Sequence, residues 1–220
     1  QAAEQSGGGK VYLEYEPKVA AIGAGLDIFK PRGSMVIDMG GGTSDIAILS
    51  LGDIVASQSI RMAGDKLNSD ITAYIKDHHG LVIGEHTAEQ IKMEIGTALP
   101  VDEPKKMDVR GRDVATGMPK QITTDENEIE EAIHGTLDQI VKATIGVLET
   151  IPPELASDII DRGIMLTGGT SLLKGIEQLF SDQLKVPVVV SQDPLDNVAK
   201  GAGEMLERMQ KTDSNKKGKD

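Results

Sequence analysis

Short apolar runs alternate with glycine-rich turns along the first sixty residues of the chain. Val11–Tyr15 predicts a strand, and the small residues of Val19–Leu26 predict a helix that has Pro17 near its first turn. The residues at 1–6 predict a helix end that the glycines at 7–9 terminate. Three further apolar runs predict a three-stranded meander over 35–37, 45–50 and 54–60.

The middle of the chain has the spacing of amphipathic helices. Apolar side chains about 3.6 residues apart predict a helix over 63–80 and a long helix over 125–148, which begins at a capping aspartate. Between them, a Thr-x-x-Gln capping box predicts a helix over 87–98. The charged, turn-rich residues 101–123 predict a small β-hairpin with one face in solvent.

The last third of the chain repeats the strand-to-glycine pattern, but here a helix follows. A strand over 163–167 leads into Gly-Gly, and Thr170 or Ser171 can cap the helix after it. Another strand is predicted over 186–190. Asp193 and the proline after it predict the start of the final helix.

The amino-acid composition argues against several classes of partner and site. The formal net charge is −12 with no basic patch, which argues against nucleic acid. There is no cysteine, so disulfides and thiolate metal sites are excluded. No apolar stretch approaches the roughly 20 residues of a membrane span, and no signal peptide is visible. We therefore expect a cytoplasmic protein.

The stretch from Asp38 to Thr43 carries the strongest candidate chemistry. It contains three consecutive glycines, whose amides no Cβ covers, so an anionic oxygen can approach them. A carboxylate and a hydroxyl flank these amides, as a phosphate-and-magnesium clamp requires. A plain hairpin turn is the alternative. The glycines lead into a strand and lack a Gly-Lys-Ser/Thr ending, so P-loop and Rossmann sites are disfavoured.

A second glycine loop, Gly168–Leu172, opens a helix and presents further bare amides. The two loops would face one cleft if their strands are neighbours in a sheet. Glu89 and Lys92 share one face of the helix over 87–98. They are interpreted either as a solvated ion pair or as a polar grip on a ribose or adenine.

The order of these motifs resembles the actin-like ATPase superfamily and, within it, the MreB family of bacterial actin homologues. The resemblance covers about residues 11–209. The segments that carry it are Tyr12–Pro17, Ala20–Leu26, Ser34–Thr43, Ile83–Glu85, Ile91–Gly96, Val109–Asp113, Asp161–Ile164 and Leu166–Thr170.

The resemblance implies an α/β fold. It would be an actin-like (ribonuclease H-like) ATPase lobe with an inserted small α+β subdomain and part of a first lobe. The implied divisions are an edge of the first large subdomain (1–33), the nucleotide-binding second large subdomain (34–65 and 136–192), the inserted subdomain (66–135), a helix returning to the first lobe (193–210) and a disordered tail (211–220).

The resemblance also implies ligands and roles. The ligands are ATP and magnesium (Mg2+). Asp38 would hold the metal through water, Glu16 would orient the attacking water, and Thr43 completes the catalytic set. The implied nucleotide contacts are Gly40, Gly41, Gly42, Thr43, Gly64, Asp65, Glu89, Lys92, Gly168, Gly169, Thr170, Ser171 and Leu172.

The implied function is a cytoskeletal filament. The protein would polymerise head to tail, hydrolyse ATP slowly and act in bacterial cell shape. The alternatives are a non-polymerising ATPase of the same superfold, of the chaperone or sugar-kinase type, and an interaction module without nucleotide. The lysines of the segment 211–219 favour a solvated tail over a contact with anionic lipids, and contact with the membrane surface stays open.

Two departures from the family pattern stand out. The sequence lacks the earlier phosphate loop of the family's first lobe, so roughly the first third of the family's chain is missing. We therefore expect this chain alone to be inactive as an ATPase, because one wall of the cleft is absent. In addition, Thr170 stands where the family's adenosine loop usually has a third glycine.

Overall fold

The computed structural model describes residue 7 and residues 11–217, with the side chains up to residue 209. The helix end predicted over residues 1–6 lies outside the described residues. The elements in chain order are α1 (Glu16–Gly23), β1 (Ser34–Met39), β2 (Ser44–Ser50), β3 (Asp53–Ile60), α2 (Gly64–His79), β4 (Leu81–Val82), α3 (Glu85–Ile95), β5 (Lys106–Asp113), β6 (Pro119–Asp125), α4 (Glu126–Leu148), α5 (Pro153–Arg162), β7 (Ile164–Thr167), a 3-10 turn (Gly169–Leu172), α6 (Ile176–Leu184), β8 (Val188–Val190) and α7 (Asn197–Lys217).

A five-stranded mixed sheet forms the centre of the fold, with the strand order β3-β2-β1-β7-β8. The first three strands form the predicted antiparallel meander. β7 and β8 join it in parallel, and β7 pairs directly with β1. This mixed topology differs from the all-parallel order of a Rossmann sheet.

Both faces of this sheet are covered, which explains why every residue of β1 is buried. Alternate side chains of a strand point to opposite faces. Met35 and Ile37 join the larger core with α2 and α4, whereas Val36 joins a smaller core with α1 and α7. The chain therefore forms three layers, with helices on either side of the sheet.

Helices α1 and α7 cross at a contact that leaves no room for side chains. A Cβ placed on Gly201 would lie 1.9 Å from the carbonyl oxygen of Val19, and one on Gly23 would lie 1.8 Å from that of Asn197. The crossing also turns the buried face of α7 towards Gly201 and Met205, so the neighbouring Leu206 is 47% exposed.

The inserted segment carries a separate three-stranded antiparallel sheet, β4-β5-β6. β5 and β6 form the predicted hairpin, and the two-residue strand β4 was not predicted. The carboxylate of Asp125 accepts hydrogen bonds from the amides of Asn127 and Glu128, which confirms the predicted cap of α4. Both predicted subdomain boundaries, 65/66 and 135/136, fall inside continuous helices.

Several local predictions were wrong. Val11–Tyr15 is not a strand, because no described strand lies beside it to complete a ladder. Helix α3 begins at Glu85 without a side-chain cap, so the capping box at Thr87 does not form. Asp193 does not cap α7, which begins four residues later. Helix α7 continues to Lys217 through most of the tail predicted to be disordered, since residues 211–217 contain neither glycine nor proline. Residues 218–220 lie outside the described residues.

Within residues 11–217, no helix has the length and apolar character that crossing a membrane would require.

The close crossing of α1 and α7 can be tested with two glycine variants in α7, one at the crossing and one away from it. Gly201→Ala should lower the free energy of unfolding by about 1–3 kcal/mol, because the new methyl group overlaps the Val19 carbonyl. At Gly203 a Cβ would meet nothing within 4 Å, so Gly203→Ala should raise the stability by about 0.5–1 kcal/mol. Urea denaturation of this chain measures both, and equal effects would contradict the described crossing.

Candidate functional site

A cleft of about 1000 Å³ opens where β1 and β7 end. These strands are parallel neighbours, and Asp38 lies beside Thr167 in their register. Each strand is followed by one of the two glycine loops, so both loops reach the same edge of the sheet. Ligands of open α/β sheets bind at the carboxyl ends of the strands. The expectation that the two loops face one cleft is therefore confirmed.

The first glycine loop is both a hairpin turn and a wall of the cleft. The Gly40 amide donates to the Thr43 carbonyl at 3.0 Å, which closes the turn between β1 and β2. The amides of Gly41 and Gly42 donate to no other residue in the described part of the chain. Gly41 lines the cleft, whereas Gly42 lies outside its lining. The two interpretations of this stretch are thus compatible.

The second loop requires glycine at its first position. Gly168 has φ +81°, and a Cβ there would lie 2.6 Å from Oδ1 of Asp38 and 2.4 Å from the Met39 carbonyl oxygen. A side chain at this position would therefore displace the end of β1. Because glycine has no Cβ, the backbone of Gly168 can lie this close to the Asp38 carboxylate.

The predicted helix cap at Thr170 or Ser171 is wrong. These residues lie in the 3-10 turn, and the following helix α6 begins at Ile176 after Gly175. The Thr170 hydroxyl instead donates to the Gly40 carbonyl at 2.9 Å, which ties together two loops 130 residues apart. The Ser171 hydroxyl donates to the Gly168 carbonyl at 2.6 Å. Ser171 is buried and does not line the cleft.

The start of α2 packs directly on the first loop. The Gly64 amide donates to the Gly40 carbonyl at 3.1 Å, and the Asp65 amide donates to the Gly41 carbonyl at 2.8 Å. Both residues line the cleft, but these two amides already have acceptors. The Asp65 carboxylate lies beside the position that a Cβ on Gly41 would occupy, at 3.3 Å.

An acidic group lies at the end of β1. Asp38 is 6% exposed, and burial together with the charges of Glu16 and Asp45 raises its pKa to about 6. Asp45 pairs with Asp38 across the hairpin and accepts a hydrogen bond from the Thr43 hydroxyl at 2.9 Å. All four of these residues line the cleft. Within the described residues, no set of three or more acidic, histidine or cysteine side chains is arranged to hold a metal ion directly.

Lys92 provides a positive charge in the opposite wall. Its Nζ donates to the Gly64 carbonyl at 3.1 Å, and no ion pair joins it to Glu89. Burial lowers the pKa of Lys92, while Glu89 and Asp65 act in the opposite direction. Glu89 also lines the cleft and is exposed. The solvated ion pair considered from the sequence is therefore absent, and both side chains face the cleft.

The sequence predicted most of the residues that line the cleft but missed several others. Glu16, Gly169, Thr170 and Leu172 line the cleft as predicted. Asp45 belongs to the same glycine-rich stretch, and its pairing with Asp38 in a short hairpin was the available signal. The other lining residues that were missed come from five separate segments: Leu67, Met93, Glu94, Gly96, Glu126, Leu173, Lys174, Pro194, Leu195 and Val198.

Comparison with known proteins gives consistent matches. A family model described as MreB/Mbl protein matches residues 1–214. The chain is 54% identical over 211 residues to the cell shape-determining protein Mbl of Bacillus subtilis (strain 168), a match that covers 96% of this chain and 63% of that protein. It is 47% identical over 207 residues to the cell shape-determining protein MreB of Escherichia coli (strain K12), covering 94% and 60%.

Solved structures show the same architecture. MreB 5 of Spiroplasma citri bound to AMPPNP matches with a TM-score of 0.93 and 38% identity, over 97% of this chain and 64% of that one. The MamK double helical filament shares the fold, with a TM-score of 0.72 and 20% identity over 87% of this chain. The chain spans about three fifths of the length of the curated relatives.

The architecture around the cleft agrees with these matches. β1 with its glycine loop, the inserted subdomain and β7 with the second loop follow in the order that the sequence motifs indicated, and the family match extends over nearly all of the chain. The chain therefore belongs to the MreB/Mbl family of actin-like proteins.

Proposed function

We propose that the cleft binds ATP with magnesium, and that the whole protein hydrolyses ATP slowly and polymerises head to tail into a filament that acts in bacterial cell shape. The observation that carries this proposal is the pairing of β1 with β7, which places both glycine loops on one cleft. A relative of the same family, MreB 5 of Spiroplasma citri, was solved with AMPPNP and with ADP.

The end of the cleft near β1 suits phosphates. Gly41 lines the cleft and its amide has no acceptor within the described residues, so a phosphate oxygen can take this hydrogen bond. The amides of Gly64 and Asp65 are occupied by loop carbonyls. Their contribution is therefore to hold the loop in shape rather than to contact a phosphate.

The acidic group at Asp38 fits a magnesium ion held through water. Its buried carboxylate faces two other acidic side chains, and this repulsion is relieved when a cation is near. The described residues offer no direct cage, and magnesium commonly keeps several waters while binding one or two carboxylates and the substrate phosphates. When bound, the ion would neutralise charge on the phosphates.

Glu16 is proposed to orient the attacking water. It is the first residue of α1, is exposed to the cleft and lies near enough to Asp38 to raise the pKa of that carboxyl. Phosphoryl transfer depends mainly on positioning and charge neutralisation. A carboxylate can hold a water in line with the terminal phosphate without accepting its proton early.

The nucleoside is proposed to lie between α3 and the second glycine loop. Glu89 and Lys92 reach the cleft from one side, and Gly168 and Gly169 reach it from the other. Leu172 is 59% exposed at the rim and can cover an apolar base face. In this proposal the divisions 34–65 with 136–192 and 66–135 are the large and the small subdomain of the nucleotide-binding lobe.

The proposed partner is a second copy of the protein, and the proposed location is the cytoplasm. Homologues described as cell shape-determining proteins support this assignment. The chain spans about three fifths of those relatives, so the whole protein is the material for testing it.

Filament formation is tested by sedimentation. The whole protein at micromolar concentration should pellet with ATP and magnesium and should remain soluble when the nucleotide is omitted, because binding at the interlobe cleft favours the polymerising conformation. Protein that stays in the supernatant with ATP and magnesium would support the non-polymerising ATPase instead.

Asp38→Asn should change the pH dependence of stability in this chain without nucleotide. The folded-state pKa of Asp38 is about 6, against an ordinary value of 3.8 for an aspartate side chain. Between these values the unfolded chain ionises while the folded chain keeps its proton, so the unaltered chain loses stability as pH rises. The variant should avoid this loss and gain up to about 3 kcal/mol relative to the unaltered chain between pH 4 and pH 7.

Urea unfolding at pH 4 and pH 7 measures the Asp38→Asn effect. Asp77→Asn, at an exposed position of α2, is the matched control with which the Asp38→Asn effect is compared at each pH. A pH-independent effect of Asp38→Asn would contradict the buried, repelled carboxylate.

Glu16→Gln should lower the ATP hydrolysis rate of the whole protein by roughly 100-fold and leave ATP affinity within about twofold, since only the water loses its acceptor. The control is Glu14→Gln, because Glu14 pairs with Lys18 at 3.2 Å and does not line the cleft. Hydrolysis at the unaltered rate in Glu16→Gln would remove Glu16 from the proposed role.

A further inference from the structure

An ion pair between Glu126 and Lys174 crosses one end of the cleft. Glu126 is the first residue of α4 and is 5% exposed. Its Oε1 accepts a hydrogen bond from the Lys174 ammonium at 2.7 Å, and its Oε2 accepts one from the Lys105 amide at 2.8 Å. Both Glu126 and Lys174 line the cleft, and the roles proposed above use neither.

The main chain of Lys174 also contacts the inserted subdomain, to which Glu126 belongs. Lys174 follows the 3-10 turn by two residues, and its carbonyl accepts a hydrogen bond from the Ala98 amide at 2.7 Å. An isolated parallel bridge pairs it with Thr97. Thr97 and Ala98 directly follow α3, the helix that carries Glu89 and Lys92. The residues that follow the second glycine loop are therefore tied to the inserted subdomain at two places, the residues after α3 and the start of α4.

Packing reinforces these hydrogen bonds. Leu173 is 8% exposed, and a Cβ on Gly96 would lie 2.9 Å from its Cδ1. Gly96 thus leaves the space that Leu173 fills between the loop and the end of α3. The ion pair, the main-chain hydrogen bond and the apolar contact all join residues 173–174 to the inserted subdomain.

The buried carboxylate makes this contact specific. The Lys105 amide, and after it the Lys174 ammonium, hold the pKa of Glu126 below its usual value, so the group is charged at neutral pH. Removing Lys174 leaves a buried charge with one of its two partners gone. The Lys174 side chain is itself 58% exposed, but a buried carboxylate that loses a hydrogen-bond partner is unfavourable, so the local structure should rearrange.

We propose that Glu126 and Lys174 are positioning residues that hold the Gly168–Leu172 loop at a fixed separation from α3, so that the two walls of the nucleoside site are in place before ATP arrives. The inference rests on the proposed nucleotide function. Preorganised walls reduce the ordering that binding requires. The pair acts through the loop and helix that it joins.

The test compares ATP binding by the whole protein and its variants in the presence of magnesium. Lys174→Met removes the charge, keeps most of the aliphatic length and should weaken ATP binding by about tenfold, mainly through faster dissociation. Lys174→Arg retains the charge and should recover most of the affinity. Glu126→Gln with Lys174→Met together should be no weaker than Lys174→Met alone, because the pair acts as a unit.

Lys120→Met is the matched control. Lys120 lies in the inserted subdomain, pairs with Asp113 at 3.1 Å and donates to the His79 carbonyl, but does not line the cleft. It should leave ATP affinity unchanged within about twofold. In this chain without nucleotide, hydrogen exchange at the Ala98 amide should accelerate in Lys174→Met and not in Lys120→Met.

The outcomes separate this inference from the proposed function. Unaltered affinity in Lys174→Met, or an equal loss in Lys120→Met, overturns the positioning role while nucleotide binding stands. Faster exchange at Ala98 with unchanged ATP affinity also overturns it, since the contact would then be structural only. If the unaltered whole protein binds no ATP, the proposed function fails, and the positioning role fails with it.

Discussion

The parallel pairing of β1 with β7 is the contact on which the cleft depends. The two strands are separated by more than a hundred residues in the chain, yet their register sets Asp38 beside Thr167. The chain between them first adds β2 and β3 to the same sheet, then forms the inserted subdomain, and returns to the sheet at β7. Because both strands end at one edge, the loops that follow them meet, and the Thr170 hydroxyl joins them at the Gly40 carbonyl.

Close backbone approach is the second constraint on this site. Gly168 lies against the end of β1. A Cβ on Gly64 would lie 3.2 Å from Oγ1 of Thr170 and 3.3 Å from Nζ of Lys92. These glycines are needed for space inside the protein. The glycines at 41 and 42 differ, since their amides donate to no acceptor within the described residues. Glycine thus provides space for packing in one loop, and in the other it leaves amides without acceptors, on which the proposed phosphate site rests.

Charge is unevenly arranged around the cleft. Acidic side chains gather at the end of β1, where burial and mutual repulsion raise the pKa of Asp38. Lys92 and Lys174 lie in the walls formed by α3 and the second loop, and each holds a group of the protein itself. A ligand carrying both phosphates and a divalent cation matches this division, because its cation offsets the acidic end and its phosphates suit the free amides.

Local sequence patterns were enough to predict the meander, the hairpin, the cap at Asp125 and the two glycine loops, since these depend on periodicity and turn chemistry. The family resemblance was also visible there, because its motifs are contiguous in the chain. Three contacts became known only from the fold: the Thr170 hydroxyl donates to Gly40 instead of capping a helix, the amides of Gly64 and Asp65 already have acceptors, and Lys174 reaches Glu126. Each of these contacts joins segments far apart in the chain, and local patterns contain no information about which distant donor meets which acceptor.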